Sequence, residues 1–181
     1  MNGVKIEAML KMCGVLHEPT TKQILVAGGF PRDILNNVEP NDIDIFVDSS
    51  IPYLTIGLNK KIKNAFPGCG VKENRKTYRF GNTNVQVQTD DVSFDIIFQK
   101  DPEKYILKSF DFDICKVWYD YIKGEYVVSG EYQMDVENKT FTLLLCNFSK
   151  DQHEWIIGRA MLHHLPKLQA KYPEHTLRII R

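Results

Sequence analysis

Cysteine is scarce in this chain of 181 residues: four in all, at Cys13, Cys69, Cys115 and Cys146, widely separated and without a Cys-x-x-Cys pair. That spacing predicts reduced thiols in a cytoplasm. Met1 to Glu7 has no apolar signal core. No apolar run approaches the roughly twenty residues that span a bilayer, so membrane insertion is excluded. An excess of either charge is missing as well, because 23 Lys and Arg balance 23 Asp and Glu. A global electrostatic attraction to nucleic acid is thereby removed. Histidine numbers only five, and His163 and His164 are adjacent on a predicted helix, so they face different ways and do not form a zinc pair. No internal repeat or low-complexity segment is present. The length suits one domain, or a domain with a short appendage.

What the chain does have is a pair of neighbouring motifs. Ile24-Leu25-Val26-Ala27 reads as a short apolar strand running into Gly28 and Gly29, whose missing Cβ atoms let a polyphosphate approach the backbone. Pro31 suits the first turn of a helix, and exposed N–H groups at such a start attract anions. On spacing alone, a plain Gly-Gly turn explains the same residues. A few residues on, Asp42 and Asp44 alternate in an apolar run, and strand geometry turns residues two apart to the same face. Two facing carboxylates repel unless a hard cation such as Mg²⁺ converts the repulsion into oxygen coordination. Solvated aspartates opposite a buried Ile43-Ile45-Val47 face are the alternative.

Taken together, Gly28-Gly29-x-x-Arg32-Asp33 followed by Asp42-x-Asp44 resembles the nucleotidyltransferases of the DNA polymerase beta superfamily. The likeness is to the head domain of CCA-adding enzymes and bacterial poly(A) polymerases. Tyr78-Arg79-Phe80-Gly81 resembles that family's Arg-Phe-Gly-Thr hairpin, and Asp95, in Val92 to Phe98, falls where the family carries a third carboxylate. Asp111, Phe112 and Tyr119-Asp120 match its sugar-binding motif in part. Ser109 and Phe110 replace two arginines there, Asp113 a threonine and Cys115 an asparagine. Near the C-terminus only Arg159 fits the base-reading helix, whose reading pair falls on His153 and Ile156, residues unable to make those hydrogen bonds.

The resemblance implies an α+β fold: a mixed sheet of the polymerase-beta-like type flanked by helices, with a small C-terminal strand and helix appendage. Residues 1–108 form the expected catalytic core, and 109–181 supply sugar-motif strands, a hairpin and C-terminal helices packed on it. It further implies two Mg²⁺ ions on the catalytic trio Asp42, Asp44 and Asp95. A nucleoside triphosphate would be held by Gly28, Gly29, Arg32, Asp33, Arg79, Asp111 and Arg159, and NMP would pass to an acceptor hydroxyl with loss of pyrophosphate. Arg32 either contacts phosphate or braces Asp33. The acceptor implied is an RNA 3′ end, although a small molecule, a protein hydroxyl, or non-catalytic nucleotide or RNA binding are alternatives. CCA-adding enzymes continue into regions that grip tRNA, and with no comparable length here full tRNA maturation is not expected. The compact length and divergent motifs also suit a bacteriophage protein.

Element by element, helices are predicted over 4–13, from Pro31, over 53–66, from Asp101-Pro102, and from a Ser149/Gln152 capping box, the last divided at Pro166. Strands are predicted over 76–80, 84–89, 92–99, 111–119, 125–128 and 140–145, with a hairpin turn at Glu137-Asn138-Lys139. Between Lys60 and Arg79 seven basic residues face only Glu73. They suit phosphate binding or the solvated side of a helix equally well. Asp111 and Asp113 alternate on the predicted strand; for Asp113 solvent exposure is expected, with metal ligation as the rival reading.

Overall fold

The computed structural model describes residues 2–48, 55–74, 84–145 and 149–180. Its centre is a seven-stranded mixed sheet in the order β3-β4-β5-β2-β1-β6-β7. The strands are β1 (Gln23–Ala27), β2 (Ile43–Asp48), β3 (Gly70–Asn74), β4 (Asn84–Gln88), β5 (Ser93–Phe98), β6 (Val117–Asp120) and β7 (Glu125–Val128). Only β2 and β5 run parallel among these pairs. The α+β architecture is thus the one expected.

Strand alternation divides the sheet into two unlike faces. Ile24, Val26, Ile43, Ile45, Val47, Phe94 and Ile96 turn to one side, where Met9, Met12, Cys13 and Leu16 of α1 (Asn2–Leu16) and Ile62 of α3 (Ile56–Ala65) bury them. Leu25, Ala27, Phe46 and Ile97 turn to the other, where Ile106 of α4 (Pro102–Ser109) and Trp118 bury them, with Tyr105, Leu107, Phe110 and Val127 packed alongside. Asp44 shares this second face with Phe46, since both alternate with the buried isoleucines of β2.

Residues beyond 110 depart from the predicted strand over 111–119. Phe112 makes one bridge to Leu143, a 3-10 turn occupies Asp113–Cys115, and only Val117–Asp120 joins the sheet, beside β1. Asp113 is buried at 3% exposure and paired with Lys116 at 2.6 Å, which corrects the expectation of a solvated side chain. The hairpin turn at 137–139 is also corrected. Gly130–Asn138 is a helix, α5, capped by Ser129 and closed by Lys139 in the left-handed region. Its Asp135 explains the difference, because the buried carboxylate accepts from Ile114 N (3.1 Å), Thr140 Oγ1 (2.6 Å), Thr142 N (2.9 Å) and Thr142 Oγ1 (2.5 Å). These bonds fasten α5 to the 3-10 turn and to β8 (Thr140–Leu144), which pairs in parallel with β9 (Thr176–Ile180). A second core of Phe112, Phe141, Leu143, Ile156, Leu165 and Tyr172 fills the space beneath.

The C-terminal helix is divided as predicted, with α6 (His153–Arg159) and α7 (Leu165–Lys171) joined by a π-helical turn, Ala160–His164. Pro166 lacks an N–H and its ring crowds the carbonyl four residues back, which disfavours regular α-helix in that stretch. Within the described residues, β3 at 70–74 is the partner of β4. The predicted strand at 76–80 lies outside them. No helix among the described residues is long and apolar enough to cross a membrane.

Candidate active site

Between this second sheet face and the C-terminal helices lies a cleft of about 430 Å³. One wall carries Gly28, Gly29, Asn41, Asp42 and Asp44; the other carries Arg159, His164, Lys167 and Lys171. Phe46, Tyr105 and Phe110 form an aromatic end, with Phe46 5.8 Å from Tyr105 and 5.9 Å from Phe110 between ring centres.

Gly28 connects β1 to α2 (Gly29–Leu35) at φ 78, a conformation open to glycine at little cost. A Cβ there would lie 3.3 Å from Asp44 Oδ2 and 3.4 Å from the Phe110 ring. The glycine therefore meets both a backbone and a space requirement. Gly29 is different, since a Cβ would make only an ordinary contact with Arg32.

Asp44 and Asp95 stand directly opposite on the parallel strands β2 and β5, and Asp42 immediately precedes β2. Burial first, then the charges of Asp42 and Asp95, push the Asp44 carboxyl up to about 8. Asp95 accepts from Asn84 Nδ2 at 3.3 Å and is not among the residues lining the cleft. Among the described residues no group of three His, Cys, Asp or Glu is gathered closely enough to hold a metal as it stands. The donor set itself suits a hard divalent cation: all-oxygen, mutually repelling, and without a Lys or Arg ion-pair partner among the described residues.

The two remaining predicted carboxylates are tied to cations. Asp33, 1% exposed, accepts from Arg32 Nε at 2.7 Å, from Tyr172 Oη at 2.8 Å and from Lys171. Arg32 also donates to Cys115 Sγ at 3.2 Å and stacks over Tyr172, so it braces Asp33 and the helix start. Asp111 accepts from Arg159 Nε at 3.1 Å, again from Arg159 Nη2, and from His164 Nδ1 at 2.8 Å. Burial opposes ionisation of Asp111, but the His164 and Arg159 hydrogen bonds and the Arg159 charge outweigh it and hold the carboxyl below its usual range. Asp111 and Arg159, expected to bind substrate separately, thus hold each other in the cleft wall. Arg79 lies outside the described residues.

His164 and Lys167 were not anticipated. With Lys171 they fall at positions i, i+3 and i+7, the spacing of one helix face, so the pattern was present without anything to indicate that the face lines a cleft. Ile156 is fully buried in the second core. Of the two base-reading positions of the resemblance, the one at Ile156 is therefore closed to a nucleotide.

Solved structures similar to this fold include CCA-adding enzymes. The Thermotoga maritima enzyme complexed with tRNA is similar over 98% of this chain at a TM-score of 0.68 and 17% identity, a match taking in 40% of that protein. A CCA-adding enzyme in complex with ATP matches 96% of the chain (TM-score 0.68, 15% identity, 39% of that protein). One in complex with CTP matches 98% (0.67, 19%, 40%). The chain therefore spans about 40% of the length of these structures. At such identities the likeness establishes the fold, that of polymerase-beta-like nucleotidyltransferases. No curated protein matches by sequence. A family profile does match, over residues 4–139, a span from α1 through the sheet and both cleft glycines to the end of α5, and by that match the chain belongs to the Gabija anti-defense 2 family.

Proposed function

We propose that this chain is a divalent-cation-dependent nucleotidyltransferase that passes NMP from an NTP to an acceptor hydroxyl and releases pyrophosphate. One observation carries the reading: Asp44, flanked by Asp42 and Asp95, faces a nucleotide-sized cleft beside a glycine that keeps the backbone open. The cleft lining includes four carboxylates, Asp33, Asp42, Asp44 and Asp111, against four permanent cations, Arg32, Arg159, Lys167 and Lys171. The polyanionic triphosphate adds charge that these groups do not offset, which favours entry with metal ions.

Asp42, Asp44 and Asp95 would hold Mg²⁺, two ions in this reading, which when bound neutralise the triphosphate and activate the acceptor. Gly28 and Gly29 leave room for the phosphates, and Lys167 offers them a side-chain cation. The aromatic end at Phe46, Tyr105 and Phe110 supplies apolar surface for a base or sugar. Arg32 and Asp33 fix the helix start that carries the glycines. In this arrangement 1–108 supplies the metal and phosphate groups, while 109–181 supplies Asp111, Arg159 and the cationic wall. We place the reaction in the cytoplasm, in keeping with free Cys13, Cys69 and Cys115.

The acceptor we favour is an RNA 3′ end, since the similar structures are of enzymes complexed with tRNA, ATP and CTP. The family match supports a second reading, in which the acceptor is a protein of the Gabija defence. Incubation with Mg²⁺, each α-labelled NTP, cellular RNA and lysate separates the two by where label appears. Asp42→Ala with Asp44→Ala is expected to lower transfer at least about 100-fold, roughly 2.7 kcal/mol of barrier. Equal labelling by wild type and this variant overturns the assignment. NTP binding without transfer shows a nucleotide-binding module instead.

A further inference from the structure

Resting on the transferase reading, we propose that His164 is the proton acceptor for the attacking hydroxyl, held in place by Asp111 and Arg159. Asp111 is buried and, as a carboxylate, only accepts hydrogen bonds. The 2.8 Å contact therefore requires the proton on His164 Nδ1. In the neutral ring Nε2 is then left as the lone-pair nitrogen. The imidazole lines the cleft with its side chain 45% exposed, and Nε2 has no partner among the described residues. A carboxylate orienting a histidine in this way is the arrangement used to hold a general base.

The π turn makes the arrangement possible. Arg159 and His164 are five residues apart, about 140° around a regular α-helix, and so would point to different sides. In Ala160–His164 the Leu165 N–H reaches back to Ala160 O, a five-residue step. Residues five apart are thereby brought nearly above one another, and both side chains meet Asp111 Oδ2. A register irregularity is thus used to aim two groups at one carboxylate that the cleft also contains.

In the step itself, the acceptor O–H bond breaks and its proton passes to His164 Nε2 as the oxygen bonds to the α-phosphorus. The bond from that phosphorus to the bridging oxygen breaks, and pyrophosphate leaves with the electron pair. Asp111 stabilises the imidazolium that results, and the proton is returned to solvent or product. Asp111 and Arg159 are positioning residues; His164 touches the reacting hydroxyl.

The test uses full-length protein, α-labelled NTPs, Mg²⁺, and cellular RNA or lysate protein as acceptor, with His164→Ala, Asp42→Asn and added imidazole. NTP affinity is measured separately with a fluorescent non-hydrolysable analogue. The expected result is a fall in kcat of about 100-fold for His164→Ala, the range for loss of a general base, with analogue affinity unchanged and transfer restored by imidazole. Wild-type levels of transfer by His164→Ala, or affinity falling with rate and no rescue by imidazole, overturn the role of His164 while leaving the transferase intact. Absence of transfer by wild type itself, with Asp42→Asn no different, overturns the transferase reading and this step together.

Discussion

At Asp44 the protonation state of one carboxyl links folding to function. With its pKa raised to about 8, against an ordinary aspartate value near 3.9, the folded chain holds a proton that the unfolded chain releases throughout the window between those values. Stability of the metal-free protein should accordingly fall as pH rises from about 4 to about 8. Asp44→Asn is expected to remove that part of the slope. In EDTA at pH 8 it should melt at least about 2 °C higher, the shift that about 1 kcal/mol gives in a chain of this size, while abolishing transfer. Thermal unfolding of both proteins from pH 4 to 8 checks this; parallel curves would show that Asp44 is not held protonated. Divalent cation should reverse the trend, because binding the ionised carboxylate displaces the proton. Asp42-x-Asp44 was readable as a facing pair because strand alternation is local. The fates of Asp111 and Asp113 were not, since Arg159, which pairs with Asp111, lies 48 residues on, and Asp113 pairs with Lys116 in a 3-10 turn where a strand was predicted.

At the scale of elements, the π turn joining α6 and α7 is the feature with the clearest consequence. Pro166→Ala restores an N–H to the ladder and allows the stretch to relax toward α-helix. Arg159 and His164 then rotate apart, and Asp111 keeps one of its two partners. Transfer is expected to fall about tenfold, or about 1.4 kcal/mol of barrier, with the melting temperature unchanged or raised. A variant as active as wild type would show that the irregular turn is not what aims the two side chains. The division at Pro166 and the Ser149/Gln152 capping box were legible from residue chemistry. The π register was not, because it depends on docking against Asp111 across 48 residues of sequence.

Considered whole, the molecule places β6 and β7 from beyond residue 110 in the same sheet as β1 to β5. A fragment of residues 1–108 would lose β6 from the side of β1 and Trp118 from the second sheet face, leaving Leu25, Ala27 and Phe46 short of cover. We expect that fragment not to fold on its own, and the full chain to unfold in one cooperative step. The two tryptophans report on different regions, Trp118 in the sheet and Trp155 on α6. Urea transitions followed by tryptophan fluorescence and by far-ultraviolet circular dichroism should coincide. Separate transitions, or a cooperatively folded fragment, would show two independent units.

The amino-acid order by itself determined the strand–Gly-Gly–helix start, the alternating aspartates of β2 and the break in the last helix near Pro166. Each of these follows from steric or periodic rules acting over a few residues. The tertiary structure alone decided that Asp95 stands beside Asp44 yet outside the cleft lining, that Arg32 braces Asp33, and that His164 and Lys167 line the cleft. Those outcomes depend on which buried charges meet across long stretches of chain. In the low dielectric of the interior an unpaired charge is too costly to leave, so the pairings that satisfy it select the arrangement of the site.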